Sequence, residues 1–226
     1  SVSEEVEVTA EDTPEAQAPR VEQGDAASAV EALEGVSGNR IPTMRALWQH
    51  LREDWAVNDC TVFRPGFQAM AVYRFGVWRL GVRPRLLRLP LSLVNRAMYI
   101  FVRNIYGIEL PWQTVVGRRL RIAHQHGIII HRLAVIGDDC MLRQGVSIGM
   151  GRVTKEGGKQ IAPILGNRVE VGAGALIAGP ITIGDDVAIG PNTVVMQNVP
   201  ANSIVTTPTP RILPRPAGVR GSERVT

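Results

Sequence analysis

A chain of 226 residues, 45% hydrophobic, is long enough for one or two globular domains, and its two cysteines cannot build a disulfide framework. The net charge of +4 is unevenly placed: residues 1–40 hold ten acids against two arginines, which leaves the remainder strongly basic. No secretory leader is legible at the N-terminus, and the most apolar stretch is interrupted by arginines, so neither a secreted nor a membrane-spanning protein is expected. A reducing cytoplasm is the expected compartment, at the inner face of a membrane if the basic segment described below meets lipid.

Taken in chain order, residues 1–40 contain no Phe, Tyr or Trp and read as a disordered acidic tail, because such a composition buries too little apolar surface to offset its ordering entropy. A helical region is expected over residues 41–108. Leu47, Trp48, Leu51 and Trp55 recur near helical spacing within 42–60, and Arg64-Pro65-Gly66 interrupts the pattern. A second helix is expected from Phe67 to Leu80, with Pro84 ending it or starting the next. Residues 85–105 are amphipathic and basic. Arg85, Arg88, Arg96 and Arg103 fall within about 80° of one another on a helix, although Pro90 is expected to break the stripe. Two readings stay open for residues 85–103: a helix packed in a subunit interface, or one lying on an anionic membrane surface.

From residue 116 onward aliphatic residues recur every six positions. One phase runs Ile130, Ile136, Leu142, Ile148, and a second runs Leu165, Val171, Ile177, Ile183, Ile189, Val195. A small or β-branched residue follows four positions later, as in Cys140, Val146, Val169, Ala175, Val187 and Thr193, and Cys140 is expected in the core. A period of six matches neither an amphipathic helix nor an alternating strand, but it fits a parallel β-helix in which each hexad gives one short strand and one corner. Glycines after the aliphatic residues are expected to make the corners by tolerating positive φ. Two irregularities stand out. Ile122 and Ile130 lie eight apart, around His124 and His126. Ile148 and Leu165 lie seventeen apart, around a polar loop from Met150 to Lys159.

These features, together with Arg121-Ile-Ala-His124-Gln-His-Gly127-Ile-Ile-Ile130, Gln144-Gly-Val-Ser-Ile-Gly149 and Val171-Gly-Ala-Gly-Ala175, make residues 105–213 resemble the serine acetyltransferase family. The resemblance implies a mainly β fold, a left-handed parallel β-helix of hexapeptide repeats over 109–213, preceded by an α-helical N-terminal region and followed by a flexible tail, 214–226. It implies acetyl-CoA as cosubstrate, a homotrimer or dimer of trimers, a small-molecule or sugar acceptor, and no nucleic-acid partner. His124 matches the family's catalytic base, and Glu109 stands where the family places an orienting Asp. Ala173, Gly174, Gly190, Pro191 and Arg211 match positions along the cofactor groove, the last within the closing Pro210-Arg211-Ile212.

Departures from the family pattern bear on the acceptor. Ala123, Arg132 and Ala162-Pro163 stand where the family has an Asp, an acidic residue and a histidine preceding proline. His126, Arg132 and Arg143 are the residues expected to line the acceptor pocket instead, and His131 is expected at an outward corner. A zinc site of the kind found in hexapeptide-repeat carbonic anhydrases would need a histidine well upstream of His126 and His131. Positions 51–123 have none, so no metal is expected. The expected activity is transfer of acetyl to a hydroxyl, of a sugar in polysaccharide biosynthesis. A serine O-acetyltransferase of cysteine biosynthesis and a non-catalytic β-helix scaffold are the alternatives.

Overall fold

The computed structural model describes residues 41–149 and 162–209. The expectations for residues 1–40, for the loop Met150–Lys159, for Arg211 and for residues 214–226 fall outside that range. Among the described residues three helices precede the strands: α1 (Met44–Val57), α2 (Pro65–Trp78) and α3 (Arg85–Tyr106), with a 3₁₀ turn at Arg79–Gly81. Thr43 caps α1, its hydroxyl accepting from the Ala46 amide at 3.1 Å. Pro65 opens α2 at a position where a missing N–H costs nothing. Gly107, in the left-handed region at φ 62°, ends α3.

Pro90 does not break α3, contrary to the expectation. It sits in the second turn, where the lost N–H would have served the carbonyl of Leu86. That residue and the proline are both exposed, so water can satisfy the freed group.

Fourteen short strands follow among the described residues, all pairing parallel in three sheets. The first face stacks β1 (Ile108–Glu109), β4 (Ile128–Ile130), β7 (Ser147–Gly149), β10 (Leu176–Ala178) and β13 (Val194–Val195). The second stacks β2 (Val115–Val116), β5 (Val135–Ile136), β8 (Ile164–Leu165) and β11 (Thr182–Ile183). On the third lie β3 (Arg121–Ile122), β6 (Met141–Leu142), β9 (Glu170–Val171), β12 (Ala188–Ile189) and β14 (Ile204–Val205). Because the chain visits the faces in rotation, it winds a three-sided prism.

The hexad aliphatics from Val116 to Val195 are buried to the last few percent, and so are the small residues four positions on, including Cys140. Burial pushes the Cys140 thiol up to about 12, which leaves it an inert core group.

The register dates each irregularity. Leu165 and its neighbour Ile183 are eighteen residues apart, one full coil. Ile122 and Leu142 are twenty apart, so two extra residues lie in the corner holding His124 and His126. Ile148 and Ile177 are twenty-nine apart, so eleven extra residues leave between the first and second faces.

The glycines after the aliphatic residues have a different reason from the one expected. The positive φ values fall two residues later, at Arg119, Asp139, Arg168, Gly174, Asp186 and Asn192. Gly137 is needed because coils approach closely: a Cβ there would lie 2.3 Å from the Gly166 carbonyl oxygen. Beside these glycines runs a side-chain ladder. Asp138 accepts from the Arg118 amide, Asn167 from the Asp138 amide and Asp185 from the Asn167 amide, all at 2.8–2.9 Å.

The helices are docked on the first coil by buried polar contacts. Arg74 of α2 and Asp54 of α1 form a fully buried ion pair at 2.8 Å, and Arg74 also donates to the carbonyls of Val116 and Gly117. Asn58 donates to the Leu120 carbonyl and accepts from the Ile122 amide. Helix α3 is held by Asn95, which donates to the Val72 carbonyl and accepts from Arg79, and by the buried Val102.

Candidate active site

His124 and His126 lie on the edge where the third face turns into the first, in the corner lengthened by two residues. His126 adopts φ 77°, and its amide donates to the Tyr106 carbonyl at the end of α3. Below it a column of turns runs along this edge. The His126 carbonyl accepts from Gly145, the Gln144 carbonyl from Gly174, and the Ala173 carbonyl from Asn192. Gly127, Gly145 and Gly174 share φ values of 71–73°, and a Cβ on Gly145 would sit 3.2 Å from the Gly174 Cα.

The same edge carries Arg143, Ala173, Gly174, Gly190 and Pro191. One edge of the prism therefore collects both histidines and the four cofactor-groove positions within the described residues. Its lower coils present glycine, alanine and a proline ring outward, a surface on which a linear thioester arm can lie against backbone. Most of the backbone amides at these positions are already engaged within the prism. Gly174 and Gly190 donate to the Gln144 and Val205 carbonyls of neighbouring coils, and Pro191 has no N–H. Of these four residues, Ala173 keeps the amide that has no partner among the described residues.

Glu109 and Arg132 are placed elsewhere. They line a cleft of about 650 Å³ between α3 and the first two coils, together with Arg79, Arg96, Tyr99, Trp112 and His131. Glu109 and Ile129 are register partners on the outside of the first face. Arg132 lies on the edge between the first and second faces, where the eleven-residue insertion also leaves. Within one chain no hydrogen bond joins Glu109 to His124, and among the described residues the side chain of His124 is exposed and has no hydrogen-bond partner. His131 occupies a corner as expected; its Nδ1 accepts from the Leu133 amide at 3.2 Å.

The cleft itself was not foreseen. Arg79 lies over the Trp112 ring, 5.5 Å from its centroid, and burial followed by the nearby Arg88 lowers the guanidinium's pKa. Burial, then the Glu109 carboxylate, raises the Tyr99 phenol. Three arginines and one carboxylate thus line the same cleft, together with polar and apolar side chains. Members of the cleft come from α3, the strand β1 and the corners beyond, so no spacing in the sequence marks them as a group. No group of three or more His, Cys, Asp or Glu able to hold a metal occurs among the described residues.

A parallel β-helix built from six-residue repeats is the architecture of hexapeptide-repeat transferases, and the profile described as bacterial transferase hexapeptide (six repeats) matches residues 162–197. A serine acetyltransferase from Helicobacter pylori is 38% identical over 152 residues, covering 67% of this chain and 81% of that protein. The putative colanic acid biosynthesis acetyltransferase WcaB of Escherichia coli K12 is 32% identical over 153 residues, 67% of this chain and 88% of that one. The crystal structure of serine acetyltransferase isoform 3 in complex with cysteine from Entamoeba histolytica aligns at TM-score 0.58 and 22% identity, over 84% of this chain and 64% of that one. The chain belongs to the serine acetyltransferase family, with its left-handed β-helix and helical N-terminal region. It spans 57% and 59% of the length of two further curated serine acetyltransferases.

Proposed function

We propose that the protein is an acetyl-CoA-dependent O-acetyltransferase whose acceptor is a sugar hydroxyl. The observation that carries this reading is the shared edge: His124 heads the column of glycine turns formed by Gly145 and Gly174, so base and thioester arm have adjacent seats. An alcohol is a weak nucleophile at neutral pH, and a histidine is suited to take its proton. The acceptor oxygen attacks the thioester carbonyl carbon as its proton passes to His124. The C–S bond then breaks, and the proton returns to the departing thiolate.

Acetylation of a sugar rather than of serine is supported by three replaced positions. Ala123, Arg132 and Ala162 put no carboxylate or imidazole where the family pattern has them, and an amino acid's ammonium would be left without a counter-charge. The similarity to WcaB points the same way. Serine as acceptor is the second reading, favoured by the higher identity to the Helicobacter pylori serine acetyltransferase.

The active form is a homotrimer or a dimer of trimers. Glu109 and Arg132 stand on a different part of the prism from His124, and the first face exposes Ile129, Leu176 and Val194 outward. A neighbouring copy laid against that face would bring the cleft of one chain to the histidine edge of the next, and Glu109 would orient the base across that junction. Thiol release from acetyl-CoA tests the proposal, measured with L-serine and then with a panel of sugars and glycans. Robust serine turnover saturating below millimolar concentration would refute the sugar reading. His124→Ala should lower turnover by about 10²- to 10⁴-fold with acetyl-CoA affinity nearly unchanged. Near-normal turnover in that variant would remove the histidine from the mechanism.

A further inference from the structure

We infer that α3 is a docking face for an anionic lipid bilayer. The helix is 22 residues long, about 33 Å, and touches the body of the protein along one strip marked by the buried Asn95 and Val102. Opposite that strip, Leu86, Leu87, Leu89, Leu93, Val94 and Phe101 are 49–76% exposed. Ile105, near the C-terminal end, is 57% exposed. At 100° per residue these side chains cover about half the circumference. Soluble chains rarely leave so long an apolar strip uncovered.

Charge selects the occupant. Between Asp59 and Glu109 the sequence has eight arginines and no aspartate or glutamate. Arg85 and Arg103 are exposed on one flank of the apolar arc, and Arg96 on the same flank also lines the cleft beside the first coils. Two copies of the chain joined through this helix about a two-fold axis would bring one arginine row toward another, with no carboxylate on the segment to neutralise either. Lipid phosphates supply the missing counter-charge, and the acyl boundary takes the leucines. The protein rests on the surface rather than crossing it, since no helix among the described residues is long and apolar enough to span. This inference stands independently of the acceptor, because its readout is binding.

Vesicle flotation of the full chain tests it, with phosphatidylcholine vesicles and with vesicles carrying 30% phosphatidylglycerol. Binding to the anionic vesicles at low salt, weakened by high salt and absent from the neutral ones, is expected. Arg85→Gln with Arg103→Gln should weaken binding about tenfold or more, and Leu89→Glu with Leu93→Glu should abolish it. Circular dichroism and sedimentation of both variants check that fold and assembly persist. If the wild-type chain fails to float, or if the leucine variant still floats, the inference is wrong. It is equally wrong if the leucine variant splits the assembly, because the face then belongs to a second copy.

Discussion

His50 gives the protein an acid-sensitive joint. It lies on α1, buried, and its Nδ1 has no hydrogen-bond partner among the described residues. Burial first, then the neighbouring Arg74 and Arg118 guanidiniums, depress its pKa to about 4, with Glu53 and Asp138 opposing. An unfolded chain protonates this imidazole near its ordinary value of 6.5, while the folded chain resists until about pH 4. Between these values the unfolded state binds more protons, so stability falls as pH falls. The slope approaches 1.4 kcal/mol per pH unit, and the full effect is about 3 kcal/mol. His50→Gln keeps similar volume and removes the titration. Urea denaturation from pH 7.5 to 4.0 should therefore show wild type losing up to about 3 kcal/mol more than the variant, with the divergence starting below pH 6.5. The carboxylates of Asp139 and Asp186 sit below their ordinary range, held there first by Arg119 and Arg168, so they titrate at lower pH. Parallel pH profiles for the two proteins would refute the assignment.

Other substitutions follow from the packing. Gly137→Ala should cost roughly 1–3 kcal/mol, read by urea midpoint, because its Cβ meets backbone; Gly149→Ala, with nothing within 4 Å, should be near neutral. Arg74→Met should cost about 3–5 kcal/mol by stranding the buried Asp54, and adding Asp54→Leu should recover part of it in the same measurement. Ala123→Asp combined with Arg132→Glu should raise L-serine turnover at least tenfold relative to the parent in the thiol-release assay, because it restores counter-charges for the ammonium.

The prism was legible because its signal is repeated: each inward aliphatic from Val116 to Val195 restates the same six-residue rule, and burial leaves no other choice at those positions. The helices were legible as elements and not as a dock. Nothing in the spacing of Leu47 and Leu51 says that Asp54 and Arg74 will meet at 2.8 Å twenty residues apart, since such a contact depends on how two helices cross. The corner glycines were found for the wrong reason. Sequence shows that a position excludes a side chain, and both positive φ and close coil approach do that; coordinates alone separate Gly174 at φ 71° from Gly137. Within the candidate site, His124 was legible as an interruption of period, while the Arg79, Arg96 and Trp112 cleft was not, because its members come from separate elements with no shared spacing.

The separation of these two groups follows from the architecture. A β-helix fixes each corner relative to the coils above and below, so extra residues at one corner cannot disturb the register of the faces: Ile130 and Ile148 pair normally just past the lengthened turn. Such corners can take on chemistry with little cost to the core, because stability is spread over many stacked contacts. The same rigidity prevents one chain from folding its second edge back toward its first. His124 and Arg132 lie on different edges, so the proposed trimer, by setting one copy's cleft against the next copy's histidine edge, would make catalysis and assembly one requirement.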